Sequence, residues 1–164
     1  MKVIQKIRKY RRTQKKKWKR YIEKKILCPL VYKWNCRKPV QDNKIIFMEV
    51  RLPKLSNSFQ LLYDELVGNY DFNIHCHFLR TGYAKGEAYR HRCLDFARDL
   101  ATAKYVIYDE GADVAGCIKM RKETKILQTW HGCGAFKRFG FSTAEFIFGD
   151  TAKNMKKYPA YADY

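Results

Sequence analysis

His131 is the residue in this chain best placed for chemistry. It leaves a short apolar run, Ile126-Leu127-Gln128-Thr129-Trp130, of the kind that forms a buried parallel strand, and Gly132-Cys133-Gly134 follows at once. In an open α/β sheet the ligand crevice lies outside the carboxyl ends of the strands, so an imidazole leaving a strand there can meet a ligand. Gly132 and Gly134 let the backbone approach a bound group with its N–H donors exposed, and Lys137 and Arg138 follow within about one helical turn. One imidazole, bare backbone and two cations suit a phosphate-bearing substrate. The candidate catalytic residue is therefore His131, and the candidate substrate-binding residues are Trp130, Gly132, Gly134, Lys137 and Arg138. By residue type alone the competing reading is a hydrogen-bonded structural histidine. The Gly-x-Gly carries neither the third glycine of a dinucleotide fingerprint nor the Gly-Lys-Ser/Thr ending of a phosphate loop.

Two further groups have chemical potential. His75-x-His77 has the spacing of two ligands on one strand face, which His131 would have to complete from elsewhere in the fold. No carboxylate stands at a convincing offset from the pair, so neither a metal nor a cofactor is expected. Asp109 and Glu110 close another apolar strand, where a carboxylate would orient His131 or simply be solvated.

The elements that must position these residues follow from periodicity. Lys44 to Val50 reads as a strand by its β-branched and aromatic content. Asn57 with Gln60 has the pattern of a capping box, opening a helix whose Phe59, Leu62, Tyr63, Leu66 and Val67 share one face, with Gly68-Asn69 ending it. Tyr70 to Leu79 alternates, with Phe72, Ile74, Cys76 and Phe78 on one side and Asn73, His75 and His77 on the other. From Glu87 to Ala103 the pattern is helical, with Tyr89, Cys93, Phe96, Ala97 and Leu100 on one face and Arg90, Arg92, Arg98 and Asp99 outside it. Lys104 to Asp109 is again strand. Residues 111–124 read as loop, and Phe141 to Asp150 and Ala152 to Tyr158 are open between loop and short helix. Strands alternating with helices predict an α/β fold with a mostly parallel sheet and helices on its faces.

The charge is concentrated at one end. Of 34 Lys and Arg, 16 lie in residues 1–40 against a single acid, Glu23, so that segment carries +15 of the +18 net charge. With 46% hydrophobic and 15% aromatic residues the remainder is no disordered polyelectrolyte, and 164 residues suffice for one ordinary domain. Residues 1–27 read as a basic amphipathic helix, with Val3, Ile7, Tyr10, Trp18 and Tyr21 in one stripe and Lys and Arg around it. That composition suits an anionic membrane surface; the competing readings are a grip on nucleic-acid phosphates and a solvated arm. Pro29 and Pro39 mark residues 28–43 as a linker, giving an arm over 1–40 and a domain over 41–164. The six cysteines show no Cys-x-x-Cys spacing, and no apolar run approaches the roughly 20 residues of a spanning helix. A peripheral protein of the cytoplasmic face with reduced thiols is expected.

Gln128-Thr129-Trp130-His131-Gly132 followed by basic residues resembles the signature of the CDP-glycerol glycerophosphotransferase family, membrane-associated enzymes that build teichoic acids and similar polyol-phosphate polymers of cell wall or capsule. Where that family usually continues Thr-Pro-Leu-Lys, this chain has Cys133-Gly134-Ala135-Phe136-Lys137. The segment Ala101-Thr102-Ala103-Lys104-Tyr105 resembles the same family, so the likeness spans roughly residues 44–140. It implies a Rossmann-like N-terminal half of a GT-B type glycosyltransferase, facing a C-terminal half that holds the CDP-linked donor and that is not expected within these residues. It further implies transfer of glycerol phosphate, or a related polyol phosphate, from a CDP-linked donor to a hydroxyl of a lipid-linked polymer. His131 would then be the general base, with Lys137 and Arg138 offsetting phosphate charge. Little or no activity is expected of the chain alone. The alternative is a basic membrane-surface or nucleic-acid-binding module on a non-catalytic α/β scaffold.

Overall fold

The computed structural model describes residues 2–79, 87–110, 114–129, 143–144, 146 and 151–156. A long helical rod comes first: α1 over Lys2–Ile22, a π-helical turn over Glu23–Leu27, and α2 over Cys28–Asn35. The sheet follows, with β1 at Gln41–Glu49, α3 at Asn57–Asn69, β2 at Asn73–Phe78, α4 at Glu87–Leu100, β3 at Ala103–Tyr108 and β4 at Lys125–Gln128. A 3-10 turn at Ala115–Cys117 lies in the β3–β4 connection, and α5 at Ala152–Met155 comes late in the chain.

The four strands lie in the order β2-β1-β3-β4 and every pairing is parallel. An α/β fold with a parallel sheet is thus observed as expected. Alternation sorts the side chains between two layers. Ile45 and Phe47 of β1 and Ile107 of β3 pack with Phe59 of α3, and Ile74 and Cys76 of β2 lie against them. Phe47 meets the rings of Phe59 and Tyr63 edge to face at 5.5 and 6.0 Å. On the opposite face Ile46, Met48, Val106 and Tyr108 pack with Cys93, Phe96, Ala97 and Leu100 of α4. Because β1 is flanked by strands that follow it, with α3 and α4 on opposite faces, the chain order reverses between β1 and β3. That junction is the topological switch point of the sheet.

Three expectations are corrected. The linker foreseen over residues 28–43 is helical over Cys28–Asn35, and Cys28 and Tyr32 are buried in the α4 core. Pro29 stands at the start of α2, directly after the π turn in which the Cys28 N–H reaches back to the Glu23 carbonyl. A proline cannot supply an N–H to a continuous α ladder and its ring crowds the carbonyl four residues back, so the wider turn is where it is accommodated. Tyr32 Oη accepts from the Arg121 N–H at 2.8 Å, while the Arg121 guanidinium donates to the carbonyls of Lys38 and Ala101. These bonds fix α2 to the body of the domain.

The capping box at Asn57 does not form. Ser56 is the N-cap, and Gln60 Nε2 instead donates to Asp64 Oδ1 at 2.8 Å, one turn along the helix. Nor is the strand before His131 buried: β4 is parallel to β3, but Ile126 and Leu127 are 46% and 51% exposed. An apolar run specifies a strand but not which of its faces another layer covers.

Candidate functional site

β1 and β3 end side by side at the switch point, and each delivers an acid there. Glu49, the last residue of β1, is fully buried; its Oε1 accepts from the N–H groups of Arg51 at 2.8 Å and Leu52 at 3.2 Å. A carboxylate that accepts from its own loop fixes the turn by which the chain leaves the sheet. Asp109, the residue after β3, is also buried, and burial first and the nearby Glu49 second push its carboxyl above the usual range. Glu110 pairs with the Arg51 guanidinium at 3.4 Å, on the same rim. β4 brings the chain to this edge: the Thr129 N–H donates to the carbonyl of Tyr108 at 3.0 Å.

The residues after Thr129 are those singled out for chemistry. Trp130, His131, Gly132, Gly134, Lys137 and Arg138 lie outside the described residues. What the structure describes is their approach, a parallel strand whose carboxyl end adjoins Asp109. Glu49 was not singled out in the sequence, although an acid closing a strand of buried apolar residues is a readable signal.

A second polar cluster occupies the α4 face of the sheet. Asp99, expected outside the packed face of α4, instead points at β1 and β2. Its Oδ1 accepts from Lys44 Nζ at 2.8 Å, and its Oδ2 lies 2.9 Å from both His75 Nδ1 and His77 Nε2. The ligand atoms of His75, His77 and Asp99 all lie within 4.8 Å of one another, a carboxylate partner for the His pair that sequence spacing did not reveal. Asp99 follows Phe96 by three residues, so it borders the apolar stripe and reaches the sheet. Burial alone would raise its pKa, but the bonds from His77, Lys44 and His75 outweigh that and hold the carboxyl well below the usual range. Lys44 is buried and also donates to Thr102 Oγ1 at 3.0 Å.

The basic rod presents the third feature. Ile7, Tyr10, Trp18 and Tyr21, expected as one stripe, are exposed, and exposed apolar side chains continue through Ile22, Ile26, Leu30 and Trp34. Trp18 and Tyr21 meet edge to face at 6.0 Å, and the Arg37 guanidinium lies 3.6 Å from the Trp34 ring. Among the described residues no helix is long and apolar enough to cross a membrane.

Comparison with known proteins places these features in a family. The chain is 30% identical over 128 residues to the teichoic acid ribitol-phosphate primase of Bacillus spizizenii, covering 77% of this chain and 33% of that protein. It is 29% identical over 125 residues to the teichoic acid poly(ribitol-phosphate) polymerase of the same organism, covering 73% and 20%. A 31% identity over 108 residues links it to the teichoic acid ribitol-phosphate polymerase TarK of Staphylococcus aureus, covering 62% and 20%. The chain thus spans about a third of the primase and a fifth of the polymerases. Residues 30–164, from within α2 onward, match the family described as CDP-glycerol:poly(glycerophosphate) glycerophosphotransferase, and the chain belongs to that family.

Proposed function

We propose that the chain forms the acceptor-side part of a transferase moving a polyol phosphate from a CDP-linked donor to a hydroxyl of a lipid-linked wall or capsule polymer. The relatives' names point to ribitol phosphate and the family's description to glycerol phosphate as the group transferred. In the reaction, an acceptor hydroxyl attacks the phosphorus that carries the polyol. The new P–O bond forms as the anhydride bond breaks, CMP leaves, and the hydroxyl proton passes to a base. His131 is that base and Lys137 and Arg138 offset phosphate charge, with Trp130, Gly132 and Gly134 lining the substrate. Donor binding falls to a C-terminal domain of the kind that completes a GT-B type enzyme, this chain being its Rossmann-like N-terminal domain.

The observation that carries the reading is the direction of β4. It is a parallel strand whose carboxyl end, at Gln128, lies beside that of β3 on the edge of the sheet where α/β folds bind ligands. The rim there carries the part-exposed Glu110, an acceptor suited to polyol hydroxyls, above the buried Glu49 and Asp109, so the phosphate is assigned to the cations further along the chain. The basic rod would hold the domain against anionic lipid at the cytoplasmic face, near the lipid-linked acceptor.

The test is release of CMP from CDP-glycerol and CDP-ribitol in the presence of acceptor polymer. The chain is assayed alone and with the C-terminal region of the ribitol-phosphate primase supplied in trans. Turnover is expected only in the combination, and His131→Ala should lower it by about 100-fold or more. Undiminished turnover in His131→Ala would remove the assigned base.

A further inference from the structure

We propose that His75, His77 and Asp99 form a binding site for one divalent transition-metal ion of the zinc class, bracing β2 against α4. The site stands apart from the assigned chemistry, on the α4 face of the sheet rather than at its carboxyl edge. Two imidazole nitrogens converge on one carboxylate oxygen at 2.9 Å each, from a strand pair at i, i+2 and a helix residue that packs over it. In a tetrahedral site with bonds of about 2.0–2.2 Å, neighbouring ligand atoms stand about 3.3–3.5 Å apart. Opening the two contacts to Asp99 by a few tenths of an ångström, and drawing together the two imidazole nitrogens, which lie within 4.8 Å of each other, admits the ion.

The surroundings are those of a ligand set rather than of a simple polar contact. His75 Nε2 lies 3.1 Å from the Asn73 side-chain amide, which can partner a ring nitrogen in either tautomer. Nδ1 faces the Asp99 carboxylate at 2.9 Å, so without an ion it donates its proton there and with one it turns a lone pair to the metal. Asn73 is the outer partner that fixes which nitrogen of a ligating histidine faces the ion. Lys44 does the same for Asp99, occupying Oδ1 and leaving Oδ2 to the two rings.

Access is provided by the position of the strand. β2 is one of the two edge strands of the sheet as described, and the His75 and Asp99 side chains keep 35% and 28% of their surface. The ion can enter from that side, with water completing its shell. Imidazole and carboxylate without thiolate favour zinc or cobalt over the soft monovalent metals. The positive charge of Lys44 opposes the ion's, so binding is expected to be weaker than in a site with the carboxylate unshared.

The experiment is titration of the whole chain with zinc, read in nitrogen-15 spectra of its four histidine rings, with cobalt as optical probe. One equivalent of zinc should move the resonances of His75 Nδ1 and His77 Nε2 and leave those of His91 and His131 in place. The cobalt spectrum should show ligand-field bands with no thiolate charge transfer. Asn73→Ala, on the exposed side of His75, should lower zinc affinity about tenfold, and Asp99→Ala should remove binding. Two results would overturn the site: rings of His75 and His77 that do not respond in the unaltered chain, and cobalt bands showing cysteine ligation. Unaltered affinity in a folded Asp99→Ala chain would do the same.

Discussion

Two aspartates in this domain, one part-buried and one buried, face opposite electrostatic surroundings. Asp99 sits on the α4 face among Lys44, His75 and His77, and its carboxyl is held well below the ordinary range despite burial. Asp109 sits at the switch point beside Glu49 and Glu110, where burial and like charge both push it up. The first arrangement gains stability from its ionised form. The second spends stability to keep two acids together, an expense typical of places where a group must bind or exchange protons. The difference separates a charge-compensated cluster from a like-charged one within one four-stranded sheet.

Replacing each aspartate should break the symmetry between them. Asp99→Ala leaves the Lys44 ammonium buried without its counter-charge, and should lower stability by about 3 kcal/mol in urea unfolding. Asp109→Asn removes repulsion with Glu49 and keeps the shape, so its effect on stability should stay within about 1 kcal/mol and tend toward stabilisation. A destabilised Asp109→Asn chain together with an unaffected Asp99→Ala chain would reverse the assignment.

The pH dependence sharpens the same contrast because the two shifts have opposite signs. Asp99 binds its proton less tightly folded than unfolded. Its contribution is fully present above the unfolded carboxylate value of about 4 and is lost as pH falls below it toward the folded pKa. Asp109 binds its proton more tightly when folded, so its contribution is present at low pH and declines as pH rises from about 4 through the folded pKa. Urea midpoints against pH should lose the acid-side fall in Asp99→Asn and the opposing decline in Asp109→Asn.

The rod gives the smallest effect on stability and a large one on binding. Trp18→Ala and Tyr21→Ala change exposed side chains and should move stability by no more than about 0.5 kcal/mol. The pair should still weaken pelleting with vesicles containing phosphatidylglycerol. Retention of RNA at matched ionic strength with no vesicle binding would instead assign the rod to nucleic acid.

Periodicity was enough to place α3, β2, α4, β3 and β4 in the chain, because apolar residues at intervals of two or near 3.6 leave little freedom in element type. It could not reveal the role of α2. Pro29 suggested a break, and only the π turn before it and the pocket that receives Cys28 and Tyr32 make that segment a helix of the core. Asp99 was misjudged for a related reason. A polar residue at the border of an amphipathic stripe looks solvated until the strand beneath it is known to offer Lys44, His75 and His77. For the His131 motif the sequence carried more than the described structure, since β4 leads to Thr129 and the following residues lie outside it.

The most direct measurement follows the four histidine rings of the intact chain while a short glycerol phosphate or ribitol phosphate oligomer is added as acceptor. The expected result is a shift confined to the His131 ring, with His75 and His77 unmoved in their clasp on Asp99. Perturbation of His75 and His77 with His131 unaffected would place the ligand on the α4 face and contradict the assignment of chemistry to the carboxyl edge.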